Sequence, residues 1–165
     1  MKRTINRLLS LFALTFIFLS SSSFVQMPST VSYKCMIQMA NYSGEKAYVV
    51  VSLMDAQGKY IKTLYVQGDD PEWFPDLKEW WAFSHGTNEN IDAITGATVG
   101  NGERNIISLA VDSSQVDSGY KIRFESAVEN QEYYTVDAEI DLNSSTIRNK
   151  VDGKGYIRYI RMVPN

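Results

Sequence analysis

Lys46-Ala47-Tyr48-Val49-Val50-Val51-Ser52-Leu53-Met54 is the stretch that decides the fold. On an extended chain Ala47, Val49, Val51 and Leu53 share one side, and Tyr48, Val50 and Met54 share the other. Both sides are largely apolar, so this strand needs cover on both faces and belongs in the middle of a sheet. Asp55-Ala56-Gln57-Gly58 follows as a tight turn, and Tyr60 to Gln67 returns as the hairpin partner.

Working outward, Val31 to Ala40, Arg104 to Val111 and Tyr156 to Met162 also read as strands. In Tyr120 to Val128, Ile122, Phe124 and Val128 alternate with Lys121, Arg123 and Glu125. In Tyr133 to Ile140, Tyr134, Val136, Ala138 and Ile140 alternate with Thr135, Asp137 and Glu139. Each of these two strands is expected to have one wet face. Gly68 to Pro75 reads as a loop, and Asn149 to Gly155 as a polar turn. Phe74-Pro75-Asp76 can open one short helix, with Leu77, Trp80, Trp81 and Ser84 on one side and Lys78 and Glu79 facing out. About seven strands and one helix predict a mostly β fold, since each sheet must bury an apolar face. The strand spacing suits an immunoglobulin-like two-sheet β-sandwich, although the Cys…Trp…Cys pattern is absent.

The 165 residues are 44% hydrophobic and 21% charged, ordinary values for one globular domain. Lys2, Arg3 and Arg7 precede an apolar run from Leu8 to Leu19 and the small residues Ser20 to Ser23. This is the layout of a secretory signal peptide, over residues 1–23, ahead of a single β-sandwich domain at residues 24–165. The apolar run falls short of the ~20 residues that span a bilayer. The expected location is periplasmic or secreted. Without the leader the chain has 13 basic against 19 acidic residues, a net charge of −6, which should repel nucleic acid. Cys35 is the only cysteine, so no internal disulfide forms, and it reads as a buried hydrophobe.

Chemistry is harder to place. No catalytic set and no metal site is assigned: His85 is the only histidine, and Asp69, Asp70 and Asp92 lack calcium-loop spacing. A cofactor-free hydrolase would need His85 oriented beside a nucleophile such as Ser84, or against an acid across a pocket. Trp73, Trp80, Trp81 and His85 could form a ligand or partner surface, or the tryptophans could simply fill the core. Asp92-Ala93-Ile94-Thr95-Gly96-Ala97-Thr98-Val99-Gly100 is the most informative segment. Its amide N–H groups could receive an anion, or it could be a wide structural turn. The leading expectation is a secreted, non-enzymatic module that binds an unidentified protein or small molecule through this glycine-rich loop and the nearby aromatics. Whether the mature protein is free or held at a membrane surface is left open.

Two resemblances add to this reading. Ala47 to Val51 through Asp55 to Leu64, Pro75-Asp76-Leu77-Lys78-Glu79-Trp80-Trp81, and Ile91 to Thr98 together resemble the DUF2271 family, predicted periplasmic proteins of unknown function. The likeness covers most of residues 33 to 140 and implies secretion and a small β-rich domain. Many relatives carry a Trp-Asp-Gly-like stretch resembling the sandwich domain of a flagellar hook-assembly protein; here that region is Val111 to Gln115, without the tryptophan. Separately, Asp92-x-x-Thr95-Gly96-Ala97-Thr98 is similar to the acceptor motif of covalent-FMN domains. That likeness implies an alternative role: a flavin transferase would link the FMN phosphate to Thr98, making an electron-transfer carrier. The last hydroxyl of the motif is Gly100 here.

Intact mass and absorbance of the protein purified from its own source are expected to show a chain cleaved between Ser21 and Phe24 and no flavin. A full-length mass would overturn the leader assignment. A mass increase near that of FMN, abolished by Thr98→Ala, would establish the carrier instead.

Overall fold

The computed structural model describes residues 29–165, so the leader expected at residues 1–23 lies outside the described part. The chain forms β1 (Thr30–Met39), β2 (Tyr48–Met54), β3 (Tyr60–Gln67), β4 (Thr95–Gly96), β5 (Arg104–Asp112), β6 (Lys121–Ala127), β7 (Tyr133–Asp141), β8 (Val151–Asp152) and β9 (Ile157–Pro164). One α-helix, α1 (Lys78–Thr87), follows a 3-10 segment at Pro71–Asp76. The strands make two sheets, ordered β5-β1-β9-β8 and β4-β3-β2-β6-β7.

β2 is central in the larger sheet, as its two apolar faces demand. It pairs antiparallel with β3 through Val49 to Gln67 and Val50 to Val66, and with β6 through Val51 to Phe124. The reversal into β3 is closed by Asp55 N–H on Lys59 O and Gly58 N–H on Asp55 O. Its inner face, with Ala47, Val49, Val51 and Leu53, packs with Cys35 and Ile37 of β1, Ile107 and Leu109 of β5 and Ile160 of β9. This is the core between the sheets. The outer face of β2 has a second cover: Val50 packs with Val66, Ala127, Phe74, Leu77 and Trp80.

That cover is supplied by the segment read from sequence as a loop plus a helix. Pro71 starts the 3-10 segment, where a missing N–H costs nothing, and the Asp70 side chain caps it by accepting from Glu72 N–H at 3.0 Å. Leu77, Trp80 and Ser84 of the expected helical side are buried, Trp81 is half-buried at its edge, and Lys78 and Glu79 are exposed. The helix ends at Asn88, whose φ of 51° puts it in the left-handed conformation that asparagine tolerates. The polar turn expected over Asn149 to Gly155 contains the two-residue β8.

The wet faces expected on β6 and β7 are only partly wet. Lys121 and Arg123 do reach the edge, pairing with Glu139 at 2.9 and 3.1 Å. Glu125 and Asp137, expected in solvent, are fully buried. For Glu125, alternation tells which side the residue faces, not what lies above it; at Asp137 the alternation itself breaks, because β7 shifts register against β6 between Phe124 and Ser126. Over Glu125 lies the α1 cover. Over Asp137 lies the loop before β9, because its carboxylate accepts from the N–H groups of Lys154 at 2.8 Å, Gly155 at 2.7 Å and Ile157 at 2.9 Å. Ser126 Oγ donates to the same carboxylate at 2.5 Å. Asp137 thereby ties the last strand to β7.

Asp137→Ala leaves the N–H groups of Gly155 and Ile157 and one hydroxyl without their acceptor, while Lys154 N–H keeps the Asp137 carbonyl at 2.9 Å, so it is expected to destabilise the protein by about 2–4 kcal/mol. Urea denaturation checks this; a loss below about 1 kcal/mol would mean water replaces the carboxylate.

Candidate functional site

The glycine-rich loop and one of the candidate tryptophans meet in a cleft of about 200 Å³. Tyr48 of β2 and Ala127 of β6 form its floor, Trp73 and Asp76 of the 3-10 segment one wall, and Thr98 another, with Glu45, Lys46 and Glu129 around them. A second cleft of about 390 Å³ shares Trp73, Asp76, Ala127 and Val128 and extends to Tyr133. Trp73 therefore stands between two clefts, half-buried.

Local packing fixes these walls. Gly68, at φ +152°, lets the Tyr48 ring close over the backbone: a Cβ there would lie 2.0 Å from the ring. Its N–H donates to Gly96 O at 2.6 Å, which ties the end of β3 to the loop. Val99 and Ala47 exchange backbone hydrogen bonds of 2.9 and 3.3 Å, so Thr98 is held beside the strand edge. Tyr42 locks that bridge, accepting from Ala47 N–H at 2.9 Å and donating to Val99 O at 3.2 Å.

Four amides at the C-terminal end of this loop are already bonded within the chain, as the reading of the segment as a wide structural turn requires. Val99 N–H is used by Ala47, Gly102 N–H by Ala40 O at 3.0 Å, and Glu103 N–H by Gly100 O at 3.2 Å. Gly100 N–H donates to the Glu103 carboxylate at 2.8 Å, an anion the chain provides for itself. Within the acceptor-like motif, Asp92 and Ala97 are exposed, and Thr95 Oγ1 donates to Asp92 O at 3.3 Å. Gly96 has a packing role: a Cβ there would lie 2.1 Å from the Tyr65 hydroxyl. Thr98 is half-buried on the cleft wall. It shares this cleft with Glu45, Asp76, Glu129 and Lys46, and lines a neighbouring one with Glu103 and Arg104, so carboxylates outnumber cations around it, a poor fit for the FMN phosphate.

The remaining candidates do not join the cleft. Trp80 is 0% exposed and offers no surface; its indole N–H donates to Thr63 Oγ1 at 2.9 Å inside the cover. Trp81 stacks on His85 with centroids 5.1 Å apart, on the outer side of α1. Ser84 is buried while His85 is exposed, so neighbours in sequence point apart and the nucleophile–base pairing does not form.

Sequence reading missed Glu125, which lies beneath α1. Tyr60 and Tyr133 both donate their hydroxyls to its carboxyl group. The Arg123 guanidinium lies 5.8 Å from the centre of the Tyr60 ring. Burial holds the Glu125 carboxyl above its ordinary range, against the opposing effect of the two phenols and Arg123. Burial and the neighbouring carboxyl push both phenols up, so they stay protonated and serve as donors. The one trace of this enclosure in sequence is the run Ser126-Ala127-Val128, whose small and apolar residues occupy both faces just after Glu125.

Fold and cleft together define a small two-sheet β protein whose outer helical cover frames a recess. The chain belongs to the family described as "Predicted periplasmic protein (DUF2271)", whose model matches residues 30–159, from the first residue of β1 into β9. That description supports a secreted or periplasmic location. No curated protein and no solved structure matches the chain.

Because the folded-state pKa of Glu125 is raised, its contribution favours the native state below the ordinary carboxylate range and is lost as pH rises through the raised value. Relative to Glu125→Gln, the native protein is expected to lose stability between acid and neutral pH. Denaturant melts of both proteins across that range check the sign; parallel curves would show that Glu125 does not titrate in this window.

Proposed function

We propose that this protein is a secreted or periplasmic binding module without catalytic activity of its own, folded from residues 24–165 after loss of the 1–23 leader. Its cleft between Trp73 and Thr98 takes a positively charged group of a ligand or partner protein. The observation that carries this reading is the composition of one recess. Two aromatic rings, Trp73 and Tyr48, stand there with Glu45, Asp76 and Glu129 against the single Lys46. Aromatic faces and carboxylates attract cations, and a recess shields them from competing water.

Neighbour order supports an immunoglobulin-like arrangement of the strands. β9-β1-β5 are adjacent as strands A, B and E are in that fold, and β2-β6-β7 as C, F and G are, with the last strand standing where the first would be. The flavin-carrier alternative has narrower support. The Thr98 hydroxyl belongs to a cleft wall, but carboxylates outnumber cations beside it.

A lysine- and arginine-containing peptide is expected to bind saturably, and an acidic peptide of equal length not to bind. Trp73→Ala should weaken the basic peptide about tenfold, and added salt should weaken it further. Equal binding of both peptides by calorimetry, or no effect of Trp73→Ala, would show that the cleft does not select for charge.

A further inference from the structure

A different recess opens where the inward-facing positions of the two sheets stop being apolar. On β5 the inward series Val111, Leu109, Ile107 is buried, and the next inward position is Asn105. On β3, Gln67 pairs with Val49 and so shares the inner face. The two amides meet, with Asn105 Nδ2 donating to Gln67 Oε1 at 3.1 Å. Gln67 is 0% exposed, and its Nε2 has no hydrogen-bond partner. Buried donors are almost always paired, because water is not there to replace a missing acceptor. Both residues line a cleft of about 300 Å³ together with Tyr65, Thr98, Glu103 and Arg104. Arg104 is exposed, and Gln38 Oε1 accepts from its Nε at 2.9 Å, which fixes the guanidinium at the rim.

We propose that this cleft binds a small ligand through a planar acyl oxygen, that of a carboxylate or a carboxamide. The oxygen accepts from Gln67 Nε2 at the inner end, and the Arg104 guanidinium donates from the rim. The Tyr65 ring, seated over Gly96, forms a flat wall for the rest of the ligand. This site goes beyond the cation-binding cleft, from which it is separated by Thr98.

Benzoate and benzamide are suitable planar probes, titrated into the ¹⁵N-labelled protein while the side-chain amide signals of Gln67 are followed by NMR. At least one probe is expected to move them saturably, and Gln67→Met, which keeps the shape but removes the donor, should weaken binding about tenfold. Tighter binding of benzoate, lost in Arg104→Ala, would identify the carboxylate as the source; equal binding of both probes would identify the carboxamide. Gln67 signals unmoved by either probe, affinity unchanged in Gln67→Met, or a crystal structure at saturating probe with an ordered water alone on Nε2 would each overturn the proposal. Gln67 signals are assignable through bonds in the native protein, so the titration decides even where Gln67→Met fails to fold.

Discussion

β2 has to hide both of its faces, and the sandwich hides only one. The second sheet covers Val49, Val51 and Leu53, while Val50 and its cross-strand neighbours Val66 and Ala127 would meet water without the 3-10 segment and α1. Burying an aromatic or aliphatic side chain is worth about 1.5–3 kcal/mol, so the cover is driven by the same force as the sandwich. Polar contacts then orient it. Trp80 reaches Thr63, and Glu89 beyond the helix end accepts from both Thr63 N–H at 2.8 Å and Thr63 Oγ1 at 2.5 Å. The clefts beside Trp73 are the edge of this cover.

Much of this architecture can be read from residue order alone. The double-sided apolarity of Ala47 to Met54 announces a central strand, and Leu77, Trp80 and Ser84 announce a buried helical stripe. Period-two alternation in β6 places Ile122 and Phe124 in the inner core. What alternation does not encode is coverage from outside the sheet. Glu125 looks like an ordinary solvent-facing residue until α1 closes over it, and Asp137 does until the register shift of β7 and the loop before β9 enclose it. Nor does it show that Asp70-Pro71 opens a 3-10 segment, since the same residues also suit an irregular loop.

The candidate site is legible in part. Proximity in sequence brings Trp73, Trp80 and Trp81 under one suspicion, yet local geometry sends them to three environments: a cleft wall, the interior and the half-buried margin of the outer cluster. Thr98 reaches Trp73 only through the Val99–Ala47 bridge, a contact between distant segments that local pattern does not contain. The glycines near Thr98 suit an anion cradle or a wide turn alike; the amides of Gly100 and Gly102 are bonded within the chain, and Gly96 answers to the bulk of Tyr65. Gln67 carries no sequence signal at all, because its significance lies in an atom left without a partner.

The two apolar clusters meet only across the thickness of one sheet, which gives the molecule two tiers of cooperativity. Among the described residues, the six buried ones of the outer cluster are far fewer than those between the sheets. Fluctuations that peel away the helical layer therefore require less free energy than global unfolding. Since Trp73 and Asp76 leave with that layer, the recess beside Trp73 dissolves in a partly open state whose sandwich remains intact. Any partner seated at Trp73 would therefore act as a clasp on the layer that builds the surface it occupies.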